Sequence, residues 1–216
     1  MTRKISEVLQ EIYQRLFEFF GPQNWWPAET PFEVCVGAIL TQNAAWKNVE
    51  KAISNLKQKG LLSPPALYQL PVEKLAELIK PSGFYNLKAK RLKSFVEFLM
   101  LNYQGNLDLM FKKPISHLRA ELLNIKGLGK ETIDSILLYG GNLPVFVVDA
   151  YTYRILNRHF LVPEETTYDE IQALFMENLP PDPQLFNEYH ALLVACGKSF
   201  CKKNSPLCDP CPLKGL

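Results

Sequence analysis

The sequence predicts an all-α protein, and three observations carry that reading. Apolar residues recur at helical spacing in several stretches, among them Ile5, Val8, Leu9, Ile12, Leu16 and Phe19, then Val49, Ala52, Ile53 and Leu56. Leu92, Phe95, Val96 and Leu99 repeat the pattern, as do Ile133, Ile136 and Leu137. Proline and glycine interrupt these stretches at Gly21-Pro22, Gly60, Pro64-Pro65, Pro81 to Gly83, Pro144 and Pro180 to Pro183, leaving helices of ordinary length. No apolar–polar alternation is long enough to mark a strand, and no repeat or low-complexity segment interrupts the chain.

At 216 residues and 47% hydrophobic, the chain can bury one substantial domain or two small ones. A net charge of +2 decides little, because nucleic-acid binding depends on where charges cluster. They cluster in "KPSGFYNLKAKRLK", which holds Lys80, Lys88, Lys90, Arg91 and Lys93 and no acid. Further pairs are Lys112-Lys113, Lys126/Lys130 and Lys202-Lys203, each of which also reads as a solvated helix face. No apolar run approaches membrane-spanning length, and the N-terminus mixes charge with apolar residues unlike a signal peptide. The expectation is a soluble, cytoplasmic monomer without membrane association. Four of the five cysteines fall in the last 21 residues, which argues against a secreted disulfide framework and for a local metal site. Cys35, alone in "PFEVCVGAIL", reads as core.

Taken in order, the first helix gives way to "NWWPAETPF", an irregular segment with Trp25, Trp26 and Pro27. "ILTQNAAWKNVEKAI" follows, with Trp46 expected one helical turn after Gln42. In "LLNIKGLGKETIDSILLY" a helix should end near Asn124 and another begin after Gly129. Gly127 and Gly129 permit torsions closed to other residues and leave room for an approaching ligand. The turn's N–H groups and the second helix's N-terminus would form an anion site flanked by Lys126 and Lys130; an ordinary helix–helix turn reads equally well. In "VVDAYTYRIL", Asp149 stands where a helix N-cap belongs.

Five segments, in order, resemble the helix-hairpin-helix DNA glycosylases of the endonuclease III superfamily: "ILTQNAAWKNVEKAI", "SGFYNLKAKRL", "KGLGKE", "VVDAYTYRIL" and "CKKNSPLCDPC". The resemblance implies two helical domains with the active-site cleft between them. One spans residues 28–140 and contains the hairpin; the other is assembled from 1–27 and 141–216 and carries a C-terminal iron–sulfur loop. It implies double-stranded DNA containing a damaged base as partner, and a nucleoid-associated location. Gln42 would enter the space left by the extruded base. Lys126, Gly127, Leu128, Gly129 and Lys130 would contact DNA.

The resemblance also assigns chemistry. Asp149 matches the catalytic aspartate. The family's bifunctional members carry a Schiff-base lysine two residues after the second hairpin glycine, where this chain has Glu131. A carboxylate forms no imine, and Lys130 is turned about 100° away on a helix. The expected enzyme therefore hydrolyses the glycosidic bond without lyase activity. "WWP", "LTQNxxW" and Gly197-Lys198 are similar to the endonuclease III-type bacterial 3-methyladenine glycosylases, in which Trp25, Trp26, Pro27 and Trp46 would line the base pocket and Lys198 would lie in it. Electron-rich rings favour a cationic alkylated purine. Alternatives are uracil, mismatched thymine or oxidised bases, or a non-catalytic damage-binding protein, against which Asp149 argues; for Lys198 the alternative is a surface residue.

Cys201, Cys208 and Cys211 match the first three ligands of the family's [4Fe–4S] loop, and its fourth cysteine would fall just beyond Leu216, where this sequence stops, so that either the chain is trimmed there or the cluster uses another ligand. Cys196 is the substitute within the sequence, although on a continuous helix it would point away from Cys201. Zinc is the other metal that thiolates would hold, here with His190 as a further ligand.

Overall fold

The computed structural model describes residues 3–216, and among these every regular element is helical. The chain divides into two compact units, one comprising Trp26–Leu143, the other the chain up to Trp25 together with Pro144–Leu216. No helix of the described residues is long and apolar enough to cross a membrane.

The Trp26–Leu143 unit begins with α2 (Pro31–Leu40), after α1 (Ile5–Phe20) of the other unit. Thr30 caps α2 by accepting from the Glu33 N–H at 3.2 Å, and Pro31 supplies a pre-set first-turn torsion. From Phe32 to Leu40 all residues are buried, as a helix apolar on every side requires. Around it run α3 (Trp46–Gln58), α4 (Pro64–Gln69), α5 (Val72–Leu78), a 3₁₀ turn at Lys80–Ser82 and the long α6 (Tyr85–Tyr103). α7 (Leu107–Phe111), α8 (Ile115–Leu123) and α9 (Lys130–Ser135) follow, and α9 passes into a π-helical turn at Ile136–Gly140. Arg119 of α8 meets Asp134 of α9 through two bonds of 2.7 and 3.0 Å, which fixes the helices on either side of the hairpin.

The expectation of one helix running from Gln42 to Trp46 is not met. α2 stops at Leu40, Thr41 turns back to Gly37, and Trp46 opens α3 after a separate turn. Lys88 is found at the break. Only 1% exposed, it donates to the carbonyls of Leu40 and Ser82, each at 2.7 Å. Burial, and then the nearby Arg91 charge, lower its pKa. Lys93 likewise donates to the Leu67, Tyr68 and Leu70 carbonyls at the end of α4. Two of the five cations in the basic segment are therefore spent inside the fold.

The other unit packs α1 with α10 (Ala150–Arg158), α11 (Tyr168–Asn178) and α12 (Pro183–Ser199). Its core is aromatic: Phe146 stacks on Phe175 at 3.8 Å, and Phe186 and Tyr189 meet Phe146 edge-on. The buried Tyr189 hydroxyl donates to the Leu9 carbonyl at 2.7 Å, so its polar end is satisfied. α10 and α12 approach closely because position 197 is glycine; a Cβ there would lie 2.3 Å from the Tyr151 ring.

Replacing Lys88 by methionine keeps the stem and removes the donors, leaving two buried carbonyls without this partner. The expected loss is about 1–3 kcal/mol in a urea unfolding curve. An unchanged midpoint would show that water replaces the ammonium.

Candidate active site

Asp149 is held by its own helix. It has extended torsions at the N-cap of α10, and its Oδ1 accepts from the Thr152 N–H at 2.8 Å and the Thr152 hydroxyl at 3.0 Å. The capping role read from the sequence is thus real, and it occupies one carboxylate oxygen. Oδ2 faces the His190 Nε2 at 3.5 Å, on α12. Burial pushes the Asp149 pKa up, but His190 and the two Thr152 donors outweigh it and hold the carboxyl below its ordinary value. Trp25 leans on the His190 ring at 5.8 Å, and the Lys198 ammonium stands 6.0 Å from the Trp25 ring centre. Asp149, His190, Trp25 and Lys198 therefore share one corner of one unit. Lys198 itself is exposed.

Trp26 and Trp46 belong to the other unit and touch each other edge-to-face at 5.2 Å. Tyr139 completes this group, 5.1 Å from Trp26. The π-helical turn carries Tyr139, and such a turn re-aims side chains relative to an unbroken α-helix. Gly37 gives the indole room, since a Cβ there would lie 3.2 Å from the Trp26 Nε1. Trp25, Trp26 and Trp46 are all partly exposed, and Pro27 is exposed. The sequence did not mark Tyr139 or His190 as neighbours of these groups. Tyr139 drew no separate reading, and His190 entered only as a zinc ligand.

The hairpin lies where expected, between Leu123 and Lys130, but its two glycines are not equivalent. Gly127 has φ +91, the left-handed region that favours glycine. A Cβ there would also meet the Arg91 side chain at 2.8 Å. Gly129 has an ordinary φ of −92, and nothing lies within 4 Å of a Cβ added to it. Neither torsion nor packing within the protein therefore requires glycine at 129. Leu128 is corrected as a DNA contact. It is 6% exposed and its N–H donates to the Ile125 carbonyl, so it anchors the turn from within. Lys126 and Glu131 are exposed, and Lys130 is half-buried. Behind the hairpin, Gln42 donates to the Thr132 hydroxyl at 2.9 Å and accepts from Arg91.

Phe84, in the basic segment, is 70% exposed and adopts a left-handed torsion of φ +45. A bulky residue in that conformation on an exposed turn is strained and points to a use.

His190 is also corrected as a metal ligand, since it faces Asp149 and does not line the cavity of the cysteines. That cavity is lined by Cys196, Cys201, Cys208 and Cys211, with Arg158 and His159. The Arg158 guanidinium donates to the Cys201 sulfur at 3.3 Å and to the carbonyls of Lys202 and Lys203, and Arg154 donates to the Cys201 carbonyl. Among the described residues no three Cys, His, Asp or Glu side chains are gathered closely enough to hold a single ion. Cys35 is fully buried in α2, as expected of a core residue.

A capped, buried carboxylate, a glycine hairpin between helices and an all-helical two-unit chain define a class of protein. The family model for the HhH-GPD superfamily base excision DNA repair proteins matches residues 36–181. The chain belongs to that superfamily and is a helix-hairpin-helix DNA glycosylase of endonuclease III type. It is 54% identical over 216 residues to a Methanocaldococcus jannaschii protein provisionally named a DNA repair glycosylase, covering 99% of this chain and 97% of that one. A solved structure of Helicobacter pylori 3-methyladenine DNA glycosylase bound to 1,N6-ethenoadenine is 31% identical, with a TM-score of 0.76 over 91% of this chain and 98% of that one. A trapped endonuclease III–DNA covalent intermediate shares the fold at a TM-score of 0.82, with 22% identity, over 99% and 94% of the two chains.

The unequal glycines make a testable contrast. Gly127→Ala should cost about 1–2 kcal/mol from the left-handed torsion, with Arg91 displaced in addition. Gly129→Ala should stay within about 0.5 kcal/mol of wild type. Urea unfolding of both variants checks this, and equal losses would contradict the torsional argument.

Proposed function

We propose that this protein is a monofunctional DNA glycosylase that hydrolyses the glycosidic bond of an extruded alkylated purine such as 3-methyladenine. The observation that carries the reading is Asp149, a carboxylate fixed through Oδ1 with Oδ2 left to act. Oδ2 would face the sugar, stabilise its developing oxocarbenium charge and orient or deprotonate the attacking water. His190 would hold that carboxylate in place and keep it ionised. The hairpin supplies no amine two residues after Gly129, because Glu131 stands there. A Schiff base, and the strand cleavage that follows from it, would need that amine.

The choice of base is supported by the aromatic residues. Trp26, Trp46 and Tyr139 form one group and Trp25 lies beside the Asp149–His190 pair, all partly exposed. Such rings suit a cationic purine, whose glycosidic bond is already weakened. The relative bound to 1,N6-ethenoadenine supports a purine pocket. Lys126 and the Gly127 and Gly129 amides would bind phosphate without reading sequence. Phe84 and Gln42 would fill the gap left by the extruded base. The four C-terminal cysteines line one cavity, which fits an iron–sulfur loop; bound there, a [4Fe–4S] cluster would brace the loop and take no part in the hydrolysis.

Single-turnover assays on duplexes containing 3-methyladenine, 1,N6-ethenoadenine, uracil, mismatched thymine or 8-oxoguanine test this reading. The alkylated purines should be released fastest, strand breaks should appear only after alkali, and borohydride should trap no covalent complex. Preferential release of uracil would overturn the substrate, and efficient trapping would overturn the hydrolytic mechanism.

The capping and catalytic parts of Asp149 separate by substitution. Asn caps helices as well as Asp does, so Asp149→Asn should unfold near the wild-type midpoint while losing excision of every lesion. Asp149→Ala should lose excision and also about 0.5–2 kcal/mol of stability. The pH dependence has a fixed sign. The carboxyl is held below its ordinary value, so its contribution to stability is present above about pH 3.9 and is lost as pH falls through the lower folded value. Acid unfolding of wild type and Asp149→Asn should therefore diverge only in that acid range. Full activity in Asp149→Asn would leave the residue a helix cap alone.

A further inference from the structure

Two cations of α6 grip the turn that follows α2. Lys88 bonds to the Leu40 carbonyl on one side of Thr41. Arg91, one helical turn further along the same face, donates to the Gln42 side-chain carbonyl on the other. The turn is closed by the Ala44 N–H on the Thr41 carbonyl at 3.0 Å, with Asn43 in a left-handed torsion of φ +51. Gln42 is thus held through both backbone and side chain. A guanidinium has only donors, so it dictates which end of the amide faces it. The other end donates to the Thr132 hydroxyl at 2.9 Å, in the first turn of α9. Arg91 reaches Gln42 by lying against the hairpin, where a Cβ on residue 127 would stand 2.8 Å from its Cγ and 2.9 Å from its Nε. That Nε is buried and has no hydrogen-bond partner among the described residues. An apolar stem would fill the space without stranding a donor, so packing alone does not call for arginine. Gln42, Arg91, Gly127 and Thr132 all belong to the Trp26–Leu143 unit.

We propose that Arg91 is a positioning residue for base extrusion: lodged against the hairpin, it holds the Gln42 amide carbonyl and sets the direction in which Gln42 enters the gap. The proposal rests on the reading of Gln42 as a residue that fills that gap. A glutamine side chain on an unsupported turn samples many rotamers and loses them on binding. Held between Arg91 and Thr132, Gln42 has lost them before DNA arrives, so its insertion needs no further ordering. The same two contacts leave one amide N–H and one carbonyl lone pair of the half-buried Gln42 for an outside partner. The hairpin proposed to bind phosphate rests on the very side chain that aims Gln42, which ties phosphate grip to gap filling.

Full-length wild type, Gln42→Ala, Arg91→Met, Arg91→Lys and the Gln42→Ala/Arg91→Met double variant test this. Single-turnover excision is measured on the duplex whose lesion wild type releases fastest, and affinity on undamaged duplex over a range of salt. Fluorescence of 2-aminopurine placed opposite a tetrahydrofuran abasic analogue reports entry into the gap without any chemistry, and urea unfolding confirms folding. Gln42→Ala and Arg91→Met should each slow excision about tenfold to a hundredfold and blunt the fluorescence change, with affinity for undamaged duplex kept. The double variant should be no slower than the slower single one, because Arg91 acts through Gln42. Arg91→Lys keeps the charge, loses the planar fork and should resemble Arg91→Met; it stands in for the methionine variant should that one unfold. Losses that multiply in the double variant, or weaker affinity with a flatter salt slope in Arg91→Met, make Arg91 a phosphate contact and overturn the proposal. Wild-type excision in Arg91→Met beside a slow Gln42→Ala also overturns it and leaves the gap reading standing. Wild-type excision and fluorescence in Gln42→Ala overturn the gap reading, and the proposal with it.

Discussion

The carboxylate of Asp149 is fixed by bonds made before any substrate arrives. Its Oδ1 closes the first turn of α10 through the Thr152 N–H and hydroxyl, so its direction is set by the helix and not by a loop. The buried run Val145–Val148 enters this cap from the aromatic core around Phe146, and α12 brings His190 to within 3.5 Å of Oδ2. Glycine at 197 lets α12 lie that close to α10. Helix spacing, cap and carboxylate orientation are thus one constraint. A looser cap would cost both the helix end and the direction of Oδ2.

Positive charge is used sparingly and for different ends. Lys88 and Lys93 lie in the densest basic segment of the sequence, yet both bond to carbonyls at helix ends, and Arg91 accompanies Gln42 behind the hairpin. Charge counted along the chain therefore overstates what faces solvent. The cations left outside include Lys80, Lys90 and Lys126, alongside an exposed Phe84. A few cations and an exposed aromatic ring are what the proposed DNA contact would have to work with on this segment.

How far the sequence could be read follows from the range of the forces involved. Helix periodicity, the Asp149 cap and the hairpin boundaries are local, and each was legible from a few consecutive residues. The break at Thr41 was not, and the Leu40 carbonyl there is met by Lys88, buried far along the chain. The two hairpin glycines looked alike in sequence, but only Gly127 takes a left-handed torsion. Tyr139 was hidden by a π-helical turn that periodicity cannot see. The position of Cys196 turned on a single residue, Phe200, leaving the helix. His190 carried no signal of its own, since its partner lies 41 positions earlier and only packing pairs them.

The arginines of α10 have a consequence for how the protein matures. Arg154 and Arg158 grip the backbone carbonyls at positions 201, 202 and 203, using main-chain atoms that owe nothing to iron. The first stretch of the loop is therefore shaped by the polypeptide alone, while Cys208, further on, remains exposed. In the same later part Cys211 is partly exposed. The proposed cluster would then arrive at a loop already partly folded, and the end of the helix that carries Asp149 would not depend on it.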